Sequence, residues 1–228
     1  MLQNETPPKL INPRGRPLPG PEILGGARGP YEERPLDDKK VLVCGVGGIQ
    51  AVLARILTKA GANPLVVGAS EAALEPFVGP GEAWARAPRL VPPGEAPEGE
   101  RIDAIVFDGT ALDTPEDLRQ LYEFMHPWVR RLNRSGRVVV VGRPAAAAKK
   151  PARAPTRAAL AGFTRSLANE IGSHRAIANS VFVAEGADER RGAVLGCLLS
   201  PRAAFLSCPP FHVSKLAKGE EAPESHVL

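Results

Sequence analysis

Residues 40–62 read Lys40-Val-Leu-Val-Cys-Gly-Val-Gly-Gly-Ile-Gln-Ala-Val-Leu-Ala-Arg-Ile-Leu-Thr-Lys-Ala-Gly-Ala62. The opening run to Cys44 is short, apolar and bounded by charge and glycine, as for a parallel strand buried on both faces. Gly45, Gly47 and Gly48 form a turn. Beyond them Val52, Leu53, Ile56 and Leu57 recur at helical spacing, and Gly61 closes the helix. Leu65-Val-Val67 is a second short strand. A strand, a glycine turn, a helix and a strand in one sheet require a right-handed crossover, the unit from which doubly wound α/β folds are built.

The alternation continues outward. Ile102 to Phe107 is another buried strand, and Thr114-Pro-Glu-Asp117 is predicted to open a helix with Thr114 as N-cap and Pro115 at its first position. That helix carries Leu118, Leu121, Tyr122, Met125, Trp128, Val129 and Leu132, with Pro127 as a kink. Arg137-Val-Val-Val-Val141 reads as a central strand, and Leu160, Phe163, Leu167 and Ile171 line one face of a helix over 155–171. A strand at 177–183, a helix at 190–199 and a short strand within 205–213 follow. The fold class is therefore α/β, Rossmann-like and doubly wound, a mostly parallel sheet with helices on both faces. Residues 75–100, rich in Pro, Gly and Ala, are predicted as mostly loop with one short helical turn at most.

This pattern occupies residues 39–214. Before it lies a tail, 1–38, with eight prolines, a density that neither a helix nor a sheet accommodates; after it lies a polar tail, 215–228. The chain has 228 residues and a net charge of +4, too small an excess to specify an acidic partner. With 5% aromatic residues and no binding motif, nucleic acid is not an expected partner. Cys44 and Cys197 lie in apolar runs and read as small buried hydrophobes; with Cys208 they show no metal-ligand spacing. His126, His174, His212 and His226 are scattered, so no metal site is expected. No apolar run approaches membrane-spanning length, and a reduced cytoplasmic protein is the expectation.

Val43-Cys-Gly-Val-Gly-Gly-Ile-Gln50 resembles the Thr-Gly-x-x-x-Gly-x-Gly turn of the short-chain dehydrogenase/reductase family. Residues 51–62 resemble that family's first helix. Ala158-Ala-Leu-Ala-Gly-Phe-Thr-Arg-Ser-Leu-Ala-Asn-Glu-Ile171 resembles the helix that begins with Tyr-x-x-x-Lys in β-ketoacyl-acyl-carrier-protein reductases. The resemblance extends over about 39–214, and is most specific to the degenerate N-terminal domain of high-molecular-weight β-ketoacyl reductases, through Phe107-Asp-Gly109, residues 134–142 and Gly162-Phe-Thr-Arg-Ser-Leu167.

The departures are as specific as the match. The glycine turn is one residue short, and its last glycine is Gln50. Gly68 stands where an acid or arginine selects the ribose. Arg153 and Arg157 fall on the family's tyrosine and lysine, Gly142-Arg-Pro-Ala-Ala-Ala-Ala148 holds no serine, and Asn-Asn-Ala-Gly becomes Phe107-Asp-Gly-Thr110. Only Ala184 to Arg190 fill the place of a substrate lid. In the family, the tyrosine delivers the proton and the lysine tunes it; a guanidinium with a pKa above about 12 delivers none at neutral pH.

The resemblance therefore implies an accessory, non-catalytic subunit, with Gly45, Gly47 and Gly48 a vestigial or weak NAD(P)H seat. It pairs with itself or with an active reductase through helices 115–132 and 155–171. The alternative it implies is a divergent NAD(P)H-dependent reductase of β-ketoacyl thioesters with another proton donor, such as Tyr122. The basic residues Lys149, Lys150, Arg153, Arg157 and Arg165 read as a solvated face, or else as a dock for acyl carrier protein. Asp103 and Asp108 read as strand-end acids or turn caps.

Overall fold

A computed structural model describes residues 33–214, apart from 46, 95, 149, 151, 188–190 and 208. The expectations for Cys208, Lys149, His226 and most of the two tails fall outside the described residues. Seven strands form one sheet in the order β3-β2-β1-β4-β5-β6-β7, all pairs parallel. In chain order these are β1 (Lys40–Gly45), β2 (Asn63–Val67), β3 (Arg89–Val91), β4 (Ile102–Asp108), β5 (Leu132–Gly142), β6 (Ile177–Val183) and β7 (Pro210–Val213). The helices are α1 (Gln50–Lys59), α2 (Glu75–Ala83), α3 (Leu118–Trp128), α4 (Arg153–Ile171) and α5 (Arg191–Leu199). Chain order reverses between β1 and β4, the place where sheets of this kind open a crevice at their carboxyl ends.

Side-chain alternation along the strands divides the interior in two. Val41, Val43, Val139 and Val141 point to one face and pack with Leu53 and Leu57 of α1, Phe77 of α2 and Leu195 of α5. Leu42, Val138 and Val140 point to the other, with Leu121 and Trp128 of α3 and Leu160 of α4. A period of two on both-face-buried strands yields this pair of cores directly. Leu36 is buried against the first of them, and its amide donates to the Ala60 carbonyl at 2.9 Å. The turn before β1 thus belongs to the packed body.

Three elements differ from expectation. Residues 75–100 hold a nine-residue helix and an edge strand, although Pro76, Gly79, Pro80 and Gly81 weigh against a helix. Phe77, fully buried, anchors α2, and Gly81 leaves room for the chain at Arg86 and Pro88 to pass where a Cβ would lie 2.8 Å from a carbonyl. Tertiary packing overrides local propensity here. Helix α3 begins at Leu118, after turns in which the Asp117 and Leu118 amides donate to the Thr114 and Pro115 carbonyls; the Asp117 carboxylate accepts the amides of Asp113 and Thr114, and Thr114 is not the helix's cap. Strand β5 starts at Leu132, five residues earlier than expected, through an irregular stretch with Ser135 at φ 63°. Cys197 is exposed and Cys44 partly buried, which corrects the reading of both as core residues.

At the amino edge of the sheet Glu100 joins Lys40 at 2.6 Å and Arg89 at 2.5 Å, tying β1, β3 and β4 together. These hydrogen bonds from Lys40 and then Arg89 hold the Glu100 carboxyl below its ordinary range. A lowered folded-state pKa gives stability that is present above the unfolded value and lost as pH falls through the folded one. Glu100→Gln is expected to cost about 0.5–1 kcal/mol at pH 7. The difference from wild type should begin to shrink as pH falls through the ordinary glutamate value of about 4.3 and vanish only below the lowered folded-state value, in urea titrations run at several pH values.

Candidate functional site

The carboxyl ends of β1 and β4 meet at the glycine turn. Gly45 has φ +147°, and a Cβ there would lie 2.2 Å from the Asp108 carbonyl oxygen. A Cβ on Gly47 would lie 2.0 Å from both Asp108 Oδ1 and Thr110 Oγ1. Glycine is required because the turn is pressed against the end of β4. Asp108 is 0% exposed. Its Oδ2 accepts the Ile49 amide at 3.1 Å, at the first residue before α1. Its Oδ1 accepts the Thr110 amide at 3.1 Å and the Thr110 hydroxyl at 2.7 Å.

A helix amino terminus behind a glycine turn is where a doubly wound fold offers free amides to an anion. Here the chain supplies its own anion. Of the three glycines predicted as a cofactor seat, Gly45 and Gly47 are packed against Asp108 or Thr110, whereas Gly48 faces open space. A dinucleotide pyrophosphate brought to this turn meets a buried carboxylate; like charges about 4 Å apart repel by about 4 kcal/mol at an effective dielectric constant of 20. The ribose position offers neither an acid nor an arginine, and Gly68 admits no larger side chain there. A Cβ on Gly68 would lie 2.3 Å from the Ala73 Cβ, since the 3₁₀ turn Glu71–Ala73 folds back over it. The residues present do not fit a nicotinamide dinucleotide in its usual seat.

The second half of the expected site is the start of α4. Its first two turns contain Arg153 and Arg157, both paired with Asp113 of the β4–α3 connection, at 3.0 Å each. The Arg157 side chain is 8% exposed; its Nη1 also donates to the Pro144 carbonyl at 3.5 Å, and its Nε has no hydrogen-bond partner. Cations at a helix amino terminus are unfavourable toward its dipole, and Asp113 offsets both. The cluster pins α4 to the loop after β4 and to the segment after β5. It is a clamp built of ion pairs, with no proton donor in it. The pairing also means that Arg153 and Arg157 are not open charges awaiting an acidic partner, while Lys150 and Arg165 are exposed.

Tyr122, the alternative proton donor, is 61% exposed and its ring lies tilted against His126, with centroids 5.1 Å apart. It lines a 430 Å³ cleft with Cys44, Val67 and Gly94, a lining that includes neither the Arg153–Asp113–Arg157 cluster nor the three glycines. Burial pushes the Cys44 thiol in that cleft up to about 11, so it stays protonated and is a poor nucleophile. Ser166 is exposed on α4. Asp103 accepts the Lys40 amide and the Asn133 side chain, as expected of a strand-end acid. Among the described residues there is no cluster of potential metal ligands, and no helix is long and apolar enough to cross a membrane. Asp108, read from the sequence as a strand-end acid or turn cap, ends β4 and caps Thr110; its bond to Ile49 is foreshadowed only by an acid where the resembled family has asparagine, and the role of Asp113 by no local signal.

No family model and no curated protein sequence matches the chain. Solved structures do. A Pseudomonas syringae protein described as a short chain dehydrogenase superimposes with a TM-score of 0.66 at 17% identity, over 83% of this chain and 100% of that one. A short-chain dehydrogenase/reductase from Serratia marcescens gives 0.65 at 17%, over 78% and 97%. The NADH-dependent enoyl-[acyl-carrier-protein] reductase of Aquifex aeolicus gives 0.61 at 16%, over 78% and 96%. Combined with the strand order and the crossovers, these likenesses establish that the chain has the fold of the short-chain dehydrogenase/reductases.

Proposed function

We propose that this chain is a non-catalytic, accessory subunit of reductase type, related to the degenerate domain of high-molecular-weight β-ketoacyl reductases. It associates with itself or with an active relative. One observation carries the reading: Asp108 occupies, from within the chain, the Ile49 amide at the start of α1, where a phosphate would bind. The Arg153–Asp113–Arg157 clamp supports it, because the positions that resemble a tyrosine and a lysine are spent on ion pairs. A fold kept intact beside a filled site retains surfaces for association, and the reading places the pairing on α3 and α4. Fatty-acid metabolism is the setting it implies, given the resemblance and an acyl-carrier-linked enzyme among the neighbours; acyl carrier protein is then a candidate third partner.

Titration of the purified chain with NADPH and NADH, followed by nucleotide fluorescence, is expected to show no saturable binding up to about 1 mM, equivalent to less than about 4 kcal/mol of binding free energy. Acetoacetyl thioester should not be reduced. Co-expression with a β-ketoacyl reductase of the same organism should give a co-eluting complex or a self-associated species in size-exclusion chromatography. Micromolar NADPH binding with turnover of the thioester would establish the divergent reductase instead, and a chain that stays monomeric and never co-elutes would remove the accessory role.

A further inference from the structure

At the opposite edge of the sheet, away from the glycine turn, lies a pocket of about 210 Å³ whose lining includes Leu36, Lys39, Asp103, Arg134, Arg137 and Leu199. Arg137 stands near the amino end of the core-forming run of β5 and is 5% exposed. Its Nη1 donates to the Ser135 and Gly136 carbonyls, and its Nε to the Ser200 carbonyl, the last two at 3.4 Å. Its Nη2 has no hydrogen bond to the described residues, and no carboxylate pairs with it. Burial alone pulls the guanidinium's pKa below its ordinary value, with no neighbouring acid to restore it.

Neutral carbonyls satisfy N–H groups but cancel no charge, and an uncompensated buried cation is costly. Asp103, the acid in the lining, carries a negative charge, but both its oxygens are turned to neutral donors, the Lys40 amide and Asn133, and neither pairs with Arg137. Lys39 adds positive charge at the rim of the same pocket, and Leu36 and Leu199 give it apolar walls. We propose that this pocket binds a small oxyanion, a phosphate or carboxylate group, with Arg137 as its buried anchor and Lys39 at its rim. An arginine fork with a free terminal nitrogen is suited to such a group. The site lies apart from the filled cofactor seat, so it gives an accessory subunit a place to sense a small anionic ligand without any catalytic chemistry.

The test uses the full chain, with inorganic phosphate and propionate as separate probes against sodium chloride at matched ionic strength, read by thermal shift and isothermal titration. Saturable binding of either probe is expected for wild type. Arg137→Gln should weaken it at least tenfold, and Arg137→Lys less. Because Arg137→Gln risks unfolding the chain, Lys39→Gln provides a second arm: Lys39 is exposed, so this variant should keep the unliganded Tm and bind several-fold more weakly. Arg165→Gln, on the exposed face of α4, should bind as wild type does. A stabilisation by both probes no different from chloride, or one that persists unchanged in Arg137→Gln and Lys39→Gln alike, would overturn the proposal.

Discussion

Asp113→Ala is expected to destabilise the chain by about 2–3 kcal/mol, lowering Tm by roughly 4–12 °C for a domain of this size. The asymmetry between its two partners sets the figure. Arg153 is 38% exposed at its side chain, so water replaces the lost carboxylate and that pair contributes about 0.5 kcal/mol. Arg157 cannot be rehydrated without opening the start of α4. Its remaining acceptor is the Pro144 carbonyl at 3.5 Å, and its Nε is already unpartnered. The larger cost is therefore the charge left behind. The double variant Asp113→Leu with Arg157→Met removes both the demand and the supply, and should recover most of the loss, as apolar replacements of buried ion pairs do elsewhere. Urea denaturation of the two variants and wild type measures both effects. If Asp113→Ala were as stable as wild type, the cluster would not be a clamp.

The sequence shows those parts of the architecture that depend on period and length. Val138 to Val141 and Val41 to Val43 alternate between two cores, and apolar spacing with bounding glycines locates α1. Leu160, Phe163, Leu167 and Ile171 on one face make α4 legible over 155–171, two residues short of its start at Arg153. What is illegible depends on contacts distant in the chain. Asp108 meets Ile49 across 59 positions, and Asp113 meets Arg157 across 44; no local pattern encodes either. The same reason hides β3, three residues that become a strand only by pairing with β2. It hides α2 too, where buried Phe77 outweighs two prolines. The arginines at 153 and 157 are visible as substitutions in sequence, but only the fold reveals that one acid neutralises both.

Asp108→Asn is expected to give the chain a dinucleotide affinity that the wild type lacks, a gain of tenfold to several hundredfold for NADPH and for inorganic pyrophosphate alike. The argument is one of charge and fit. Asn and Asp fill nearly the same volume, so the turn keeps its shape, and the amide oxygen can still accept the amide and hydroxyl of Thr110. The Nδ2 group, however, would face the Ile49 amide, donor against donor. That bond is lost, at a cost of about 1–3 kcal/mol, and the Ile49 N–H is freed for an incoming anion at the start of α1. Removing a like charge about 4 Å from the phosphate position relieves up to about 4 kcal/mol, which sets the upper end of the gain. Gly68 is unchanged in the variant, so selectivity between NADPH and NADH should stay poor, and with Arg153 in place of a phenol no reduction of a β-ketoacyl thioester should follow. Asp108→Ala serves as the contrast: it removes the charge but leaves the Ile49 and Thr110 donors without an acceptor, so a loss of about 3 kcal/mol or more is expected. Fluorescence titration and Tm for both variants separate the two effects. Were Asp108→Asn to fold normally and remain blind to pyrophosphate, the buried carboxylate would not be what excludes the cofactor.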